Sequence, residues 1–534
     1  MLAVAQTFTL LGVSAKEVQA EVDVNRGLPA FSIVGLPDAA IKESRERVRA
    51  AMVNSGFEFP LRRITASLAP ADLRKGGPGL DLAIAAALLV ASGQVGGEFL
   101  SRFRITGELA LDGSIRPVSG VLAMAEEARS RGAEGIVVPA RNAAEAALID
   151  GLTVAGLDRL DQLPALSKGE LESDPPAGSA LVAGIGSNDP DIGDPDLNGG
   201  AADGPTRDLA LRSPRSSRSP GAAMPDLAEL RGQPFLRRAL EVAAAGGHNL
   251  FVSGPPGAGK SLAARRLPSI LPPLGTQEAI EVTRIASACG RGPEPGTLCG
   301  RPFRAPHHTI SAAGLVGGGV PPRPGEVTHA HRGVLFLDEL GEFSREALEA
   351  LRQPLEDGSI GLTRGVHAVE LPSRFMLVAA ANPCPCGHGD GSERCECSLA
   401  AIRRYHSRLS GPLADRMDVS ISIEQPSAAA LAGDGGEPSS SVRDRVIAAR
   451  ERQSARLGID RSNAEMNAGE SRAAGLGSKW RATLAAGYER LGLSGRGYER
   501  VLRVARTIAD LEGSAEVKTD HLDEALTLRR RSTR

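Results

Sequence analysis

The stretch from Asn249 to Ser261 constrains this chain more than any other part of its sequence. It reads Asn-Leu-Phe-Val-Ser-Gly-Pro-Pro-Gly-Ala-Gly-Lys-Ser, an apolar run that passes into a glycine-rich turn ending in a lysine and a hydroxyl. A strand followed by such a turn and a helix directs successive backbone N–H groups at an anion. The pattern therefore predicts a phosphate-binding loop made of Gly254, Pro255, Pro256, Gly257, Ala258, Gly259, Lys260 and Ser261.

The last two residues of this loop indicate which phosphate compound it binds. Lys260 supplies a positive charge for β- and γ-phosphates, and the Ser261 hydroxyl is a ligand for Mg²⁺. The alternative is a glycine-rich turn that matches the pattern by chance. The apolar run before the loop and the helix predicted from Leu262 to Leu267 favour the nucleotide interpretation. ATP and Mg²⁺ are therefore the predicted cofactors.

A second motif supplies the acids that such a loop needs. The run Gly333 to Glu339, Gly-Val-Leu-Phe-Leu-Asp-Glu, is typical of a buried strand that ends in two carboxylates. We expect Asp338 to hold Mg²⁺ and Glu339 to polarise a water for attack on the γ-phosphate. A strand meeting a helix N-terminus is the alternative, and the pairing with the phosphate loop favours hydrolysis.

A third apolar strand, predicted from Arg374 to Ala381, ends at Asn382. We expect this amide to orient the attacking water beside the γ-phosphate. Asparagine after a strand is also a common turn former, so the prediction depends on the whole set of residues.

Composition limits the other function classes. A chain of 534 residues with 42% hydrophobic content is too long for one core and predicts several domains. Its net charge of −2 means that a nucleic-acid binder must concentrate basic residues in a pore or on one face. The first residues lack a basic leader, and no apolar run has the length of a membrane span, so we expect a cytoplasmic protein without a membrane partner.

The N-terminal region, residues 1–166, alternates strand-like and helical runs and is predicted to be α+β. It resembles the proteolytic domain of Lon from Gly76-Gly-Pro-Gly79 into the following helix, and again from Gly113 through Pro117-Val-Ser-Gly120 into the helix from Val121 to Arg131. The positions of Lon's serine nucleophile and lysine base are here Gly79 and Met124, which have no such chemistry. We therefore expect a Lon-like domain without protease activity.

The remaining boundaries follow from composition. Residues 167–224 are rich in Gly, Pro, Ser and Asp, with a basic tract from Arg212 to Pro220, and are predicted to be a disordered linker. Residues 225–425 are predicted to form a P-loop α/β core with a parallel sheet, and residues 426–534 an all-α lid. Helices are predicted in the core from Leu227 to Leu240 and from Arg345 to Glu356. Within the core, Ile360 to Arg364 and Val366 to Leu371 predict a hairpin that carries Arg364 and His367 near its tip.

Long motifs then identify a resemblance to the magnesium-chelatase-like AAA+ ATPases of the ComM/YifB family. The matching segments cover the N-terminal region and the core, leaving only the linker outside. Beyond the N-terminal region, the matching segments are Ala243-Ala-Ala-Gly-Gly-His-Asn249, Phe303-Arg-Ala-Pro-His-His-Thr-Ile-Ser311, Gly333-Val-Leu-Phe-Leu-Asp-Glu-Leu340, Ala381-Asn-Pro-Cys-Pro-Cys-Gly387, Ser410-Gly-Pro-Leu-Ala-Asp-Arg-Met-Asp418 and Leu502-Arg-Val-Ala-Arg-Thr-Ile-Ala-Asp-Leu511.

The resemblance implies a hexameric ring that hydrolyses ATP and acts on single-stranded or branched DNA, as a branch-migration helicase in natural transformation. It implies that Arg416 is an arginine finger for the neighbouring subunit's ATP, with an ordinary pair to Asp415 or Asp418 as the alternative. Arg496 matches the lid arginine that contacts the γ-phosphate within its own subunit. The 303–319 element and the 360–371 hairpin become pore insertions, with DNA-contact candidates Arg364, His367, His307, His308 and Arg323.

Four of the six cysteines, Cys384, Cys386, Cys395 and Cys397, form a Cys-x-Cys…Cys-x-Cys pattern. Four thiolates in so short a stretch suit a tetrahedral Zn²⁺. His388 is a competing ligand, and a metal-free cluster is the alternative.

Two other function classes stay open at this stage. One is a chelatase-type motor that drives metal insertion through partner subunits, and the other is an ATP-dependent protease or unfoldase. The glycine and methionine at the Lon positions argue against proteolysis, and a chelatase motor subunit is not expected to carry a Lon-like domain.

Overall fold

A computed structural model of the chain describes residues 1–168, 225–293, 296–320, 322–364, 367–389, 394–409, 413–433, 435–459, 461–473 and 480–529. The predicted linker, apart from residues 167 and 168, lies outside the described residues, as does its basic tract. The described residues form two compact units. One contains residues 1–168 and 275–300, and the other contains residues 225–274 and 301–529.

The first unit is built on one mixed seven-stranded sheet with the order β3-β4-β2-β1-β5-β8-β9. Strands β1, β2 and β4 pair antiparallel, and the other neighbours pair parallel. Its elements are β1 Leu2–Leu11, β2 Ser14–Asn25, β3 Ala30–Val34, α1 Ala39–Asn54, β4 Arg63–Ala69, α2 Asp81–Ala91, α3 Phe99–Arg102, β5 Phe103–Ile105, β6 Glu108–Leu109, β7 Ile115–Arg116, α4 Val121–Ser130, β8 Gly135–Pro139, α5 Ala140–Ala146, β9 Thr153–Leu157 and α6 Leu163–Ser167.

The long hairpin of β1 and β2 was not predicted from the sequence. In β2 the buried residues Val18, Ala20, Val22 and Val24 alternate with polar ones, which is the pattern of a strand with one buried face. The two positions that match the Lon catalytic pair lie at the start of one helix of this unit and within another. Gly79 is in a 3-10 turn before α2, and Met124 is buried in α4.

The second unit contains a five-stranded, entirely parallel sheet with the order β11-β14-β17-β10-β18, as predicted for the core. From residue 225 to 425 the elements are α7 Pro234–Gly246, β10 Leu250–Ser253, α8 Lys260–Arg266, α9 Thr276–Ala288, β11 Phe303–Arg304, α10 Ala312–Val316, β12 Gly317–Gly318, β13 Arg323–Pro324, α11 Glu326–His329, β14 Val334–Leu337, α12 Arg345–Ala350, α13 Arg352–Asp357, β15 Ser359–Arg364, β16 His367–Pro372, β17 Met376–Ala381, α14 Leu399–Leu409 and β18 Val419–Ser422.

Helix α9 belongs to a different unit from the one that the sequence predicted. The sequence placed it in the core, but the segment 275–300 belongs to the first unit. Arg284 of α9 pairs with Glu126 of α4 at 2.7 Å, and Ser287 of α9 accepts a hydrogen bond from the Gly120 N–H. Long-range packing of this kind has no local signature in the sequence.

Two predicted helices are divided in the structure. In place of one helix from Leu227 to Leu240 there is a 3-10 turn, Leu227–Glu229, and α7 begins only at Pro234, a residue suited to a helix start. The helix predicted from Arg345 to Glu356 is α12 and α13. Pro354 has no N–H to donate to the carbonyl four residues earlier, which favours this break.

The described residues after 426 are helical and contain no strand. Their helices are α15 Ala428–Ala432, α16 Ser439–Leu457, α17 Ala468–Ala473, α18 Trp480–Leu491, α19 Gly495–Leu511 and α20 Thr519–Thr527. Among all the described helices, none combines the length and apolar character that crossing a bilayer requires.

One buried ion pair joins the helical region to the parallel sheet. Asp418 precedes β18, is 3% exposed, and pairs with Arg500 of α19. Its carboxylate also accepts a hydrogen bond from the Asn249 N–H at 3.1 Å, at the start of β10. Burial alone would raise the pKa of Asp418, but Arg500 and the nearby His248 lower that pKa well below its usual range.

We expect Asp418→Ala to destabilise the second unit by about 3–5 kcal/mol, because it leaves the Arg500 guanidinium without its buried partner. The measurement is the midpoint of thermal or urea unfolding. Asp415→Ala is the matched control, since Asp415 is an exposed acid three residues away, and its loss is expected to cost less than about 0.5 kcal/mol. Equal midpoints for the two variants would contradict this prediction.

Candidate nucleotide site and cysteine cluster

The glycine-rich turn has the backbone that an anion-binding loop requires. Gly257 and Gly259 have φ angles of +77° and +93°, which side-chain-bearing residues rarely adopt. Helix α8 begins directly after the turn, at Lys260. The turn therefore presents backbone N–H groups and a helix N-terminus to the same space.

Lys260 lies across the loop and joins it to the predicted water-orienting residue. Its Nζ donates to the carbonyls of Gly254 and Pro255 and to Asn382 Oδ1, the last at 3.0 Å. Burial lowers the pKa of Lys260, while Asp338 and Glu339 act in the opposite direction. The structure thus brings Lys260 and Asn382 together.

The predicted Mg²⁺ ligands are also neighbours. The Ser261 hydroxyl donates to Asp338 Oδ2 at 2.6 Å. A hydroxyl and a carboxylate oxygen side by side at the mouth of the phosphate loop are the hard oxygen ligands that Mg²⁺ prefers. The residues present therefore fit an Mg²⁺–nucleotide complex, in which Ser261 and Asp338 would hold the metal and Lys260 the phosphates.

Glu339 has an unusual backbone. Its φ is +52°, a left-handed conformation that is uncommon for a residue other than glycine, and its N–H donates to Asp338 Oδ1 at 3.0 Å. Its side chain is 53% exposed. A positive φ at a residue with a side chain is backbone strain of the kind that is concentrated at functional sites.

His308, a candidate DNA contact, lies beside this carboxylate. His308 Nδ1 is 3.5 Å from Glu339 Oε2. The cause is the pairing of β11 with β14, in which Arg304 lies opposite Leu335, so that the loops after both strands meet at one edge. His307, by contrast, is exposed. Neither sequence motif by itself predicts that His308 lies beside Glu339.

The two predicted ring arginines share one carboxylate. Arg416 and Arg496 both pair with Glu356 Oε1 of α13, the second at 3.2 Å. Arg416 is buried, with 5% of its side chain exposed, whereas Arg496 is 67% exposed. Glu356 therefore replaces Asp415 and Asp418 as the partner of Arg416, and a finger role requires this arginine to leave Glu356.

The predicted pore insertions are neighbours in the second unit. Strands β15 and β16 form the expected hairpin, with Arg364 opposite His367 at its end. Arg323 is exposed on β13, which pairs with β12. A Cβ at Gly317 of β12 would lie 3.1 Å from a Leu362 methyl of β15. The two insertions are thus in contact.

The four cysteines form a compact cluster immediately after Asn382. Their sulfur atoms all lie within 4.8 Å of one another. The N–H of His388, together with the Cys384 thiol, lowers the pKa of Cys386 to about 6. His388 is exposed and is not part of the cluster. The donor set suits Zn²⁺.

Comparison with known proteins agrees with this geometry. Three family models match: "Magnesium chelatase, subunit ChlI" over residues 226–431, "Subunit ChlI of Mg-chelatase" over residues 20–142, and "Magnesium chelatase, subunit ChlI C-terminal" over residues 436–529. The YifB protein of Salmonella typhimurium, itself uncharacterised, is 40% identical over 536 residues, which is 99% of this chain and 97% of that protein.

Two further relatives match over different lengths. The competence protein ComM of Haemophilus influenzae is 40% identical over 532 residues, which is 99% of this chain and 97% of that protein. Lon protease 2 of Bacillus subtilis is 29% identical over 202 residues, or 34% of this chain and 36% of that protein. The chain therefore belongs to the magnesium-chelatase-like ComM/YifB family of AAA+ proteins, whose ATPase chemistry the phosphate loop and its acids fit.

Proposed function

We propose that this chain is the subunit of a ring-shaped motor, a hexamer, that uses ATP hydrolysis to drive branch migration of DNA. The relative from Haemophilus influenzae is named a competence protein, and the DNA role proposed here rests on that name and on the family resemblance. The near-complete overlap of the two chains makes the same role the best-supported one here.

One observation carries the proposal beyond ATP hydrolysis. A single segment runs from β11 past His308, which is 3.5 Å from Glu339, to β12 and the exposed Arg323. The β12 backbone in turn packs on Leu362 of the β15–β16 hairpin. Basic side chains on the two insertions are thus linked through one short segment to the acid that activates water. A motor needs such a connection if contact with a DNA strand is to control ATP turnover.

In this proposal each residue of the nucleotide site has one role. Lys260 binds phosphate oxygens, Ser261 and Asp338 would hold Mg²⁺, and Glu339 accepts a proton from the attacking water, which Asn382 orients. Arg416, once released from Glu356, stabilises negative charge at the site of the adjacent subunit, and Arg496 does so within its own subunit.

DNA binds where one arginine from each of six subunits forms a ring of positive charge. Arg364, with His367 opposite, is the first candidate, and Arg323 with His307 is the second. His308 is the residue through which binding of a DNA strand would affect the position of Glu339.

A chelatase-type motor is the second candidate, and the descriptions of the matching family models favour it. Stimulation of ATP turnover by DNA distinguishes the two functions. Forked or four-way DNA is not expected to change the ATP turnover of a motor that inserts metal through partner subunits.

The roles of Lys260 and Glu339 are separable by experiment. Lys260→Ala is expected to lose nucleotide binding, because it removes the phosphate-binding charge. Glu339→Gln is expected to retain binding while its kcat falls by about 10²–10⁴-fold, since only water activation is lost. Fluorescent-nucleotide binding and phosphate release measure the two effects. Glu346→Gln, an exposed acid on α12, is the control, and normal turnover in Glu339→Gln would refute its role.

Strand binding is tested with Arg364→Ala and Arg323→Ala. Both are expected to weaken binding of branched DNA and to reduce DNA stimulation of ATP turnover, with a shallower dependence of affinity on salt, because each removes one phosphate contact per subunit. Fluorescence anisotropy over a salt series is the measurement. Arg490→Ala, an exposed arginine on α18, controls for overall charge. If both variants bind and respond as Arg490→Ala does, the insertions do not grip DNA.

A further inference from the structure

The cysteine cluster is connected to the nucleotide site at both of its ends. On the N-terminal side, Cys384 follows Asn382 by two residues, and Asn382 accepts a hydrogen bond from Lys260 at 3.0 Å. On the C-terminal side, α14 begins two residues after Cys397 and carries Tyr405. A Cβ at Gly341, two residues after Glu339, would lie 2.3 Å from the Tyr405 ring. The ring therefore packs directly against the turn that holds the catalytic acid.

Gly387, which follows the first cysteine pair, also lies against the phosphate loop. A Cβ at Gly387 would be 2.7 Å from Cγ of Pro256, so no side chain fits there. Gly387 has a φ of +88°, a second reason for glycine at this position. The cluster is thus in contact with the cradle itself, as well as with the chain segments that carry Asn382 and Tyr405.

The sulfur geometry fits a tetrahedral metal. Cys384 Sγ is 3.2 Å from Cys386 Sγ and 3.8 Å from Cys395 Sγ, and the last two sulfurs are 3.6 Å apart. Zn–S bonds of about 2.3 Å in a tetrahedron place sulfurs about 3.8 Å apart. The Gly389 N–H donates to Cys384 Sγ at 3.2 Å, a contact that stabilises a metal-bound thiolate. Cys384 is fully buried, whereas Cys386 is exposed and reachable by a metal ion.

We propose that Zn²⁺ held by Cys384, Cys386, Cys395 and Cys397 fixes Asn382 and the Glu339 turn at the nucleotide site, so that ATP turnover requires the metal. Without a central cation, nothing bonds the four sulfur atoms to one another, and the chain that links Asn382 to α14 is no longer held in one position. The cysteines are positioning residues, because they act through Asn382 and Tyr405. The inference rests on the ATPase assignment of the site.

Cys386→Ser and Cys397→Ser are expected to abolish the content of about one zinc per chain and to lower kcat by about 10- to 100-fold, the loss typical of a misplaced catalytic group. Nucleotide affinity should change much less, because Lys260 and Ser261 remain. Elemental analysis, nucleotide titration and phosphate release measure the three quantities. Cys289→Ser, at the end of α9 and outside the cluster, should match the wild type in all three. Cys386→His should retain both zinc and turnover, because imidazole is also a zinc ligand.

A double variant separates positioning from general loss of structure. If the cluster acts through Asn382, the effect of Cys386→Ser on kcat should shrink in an Asn382→Ala background. An undiminished effect there would overturn the inference, as would zinc-free wild-type protein prepared without chelator, or loss of zinc with unchanged kcat. Those outcomes concern the zinc inference alone. Zinc-loaded wild-type protein that hydrolyses no ATP would instead overturn the ATPase assignment, so the two failures are distinguishable.

Discussion

The parallel pairing of β17 with β10 on one side and β14 on the other is the constraint on which the nucleotide site depends. Ser253 lies opposite Ala381, and Leu337 lies opposite Ala379, so the three strands end together. The phosphate loop, Asp338 and Asn382 each follow one of these ends. Because parallel strands all terminate at one edge of a sheet, residues far apart in sequence converge without any further packing device.

The converging loops also connect the site to its surroundings. β11 adds a fourth strand end, which brings His308 to Glu339 and leads on to the two insertions. β18 follows Asp418, whose buried pair with Arg500 attaches α19, the helix that carries Arg496. The cysteine cluster continues from Asn382 at the end of β17. The two insertions and the cysteine cluster therefore each connect to the nucleotide site through the carboxyl end of a neighbouring strand, whereas the Asp418–Arg500 pair lies at the opposite edge of the sheet, where β18 begins.

Local sequence patterns predicted much of this. The apolar runs that became β10, β14 and β17 are short, and the phosphate loop or a polar residue follows each of them; β14 and β17 are buried on both faces. Their strand structure could therefore be predicted from the sequence. The hairpin of β15 and β16 and the helical C-terminal region were predicted for similar reasons, and the grouping of the four cysteines follows from their close spacing in the sequence. The β1–β2 hairpin was missed although β2 alternates clearly, and α7 was predicted to start too early because a capped 3-10 turn precedes it.

The sequence by itself determined which residues carry charge, hydroxyl, amide and thiolate groups, and that these follow strands, because such signals are local. Only the tertiary structure decided their partners. It placed α9 in the first unit, His308 beside Glu339, Arg416 and Arg496 on Glu356, and Gly387 against Pro256. Each of these contacts joins segments whose separation is set by strand order and long-range packing, which no local spacing of residues encodes.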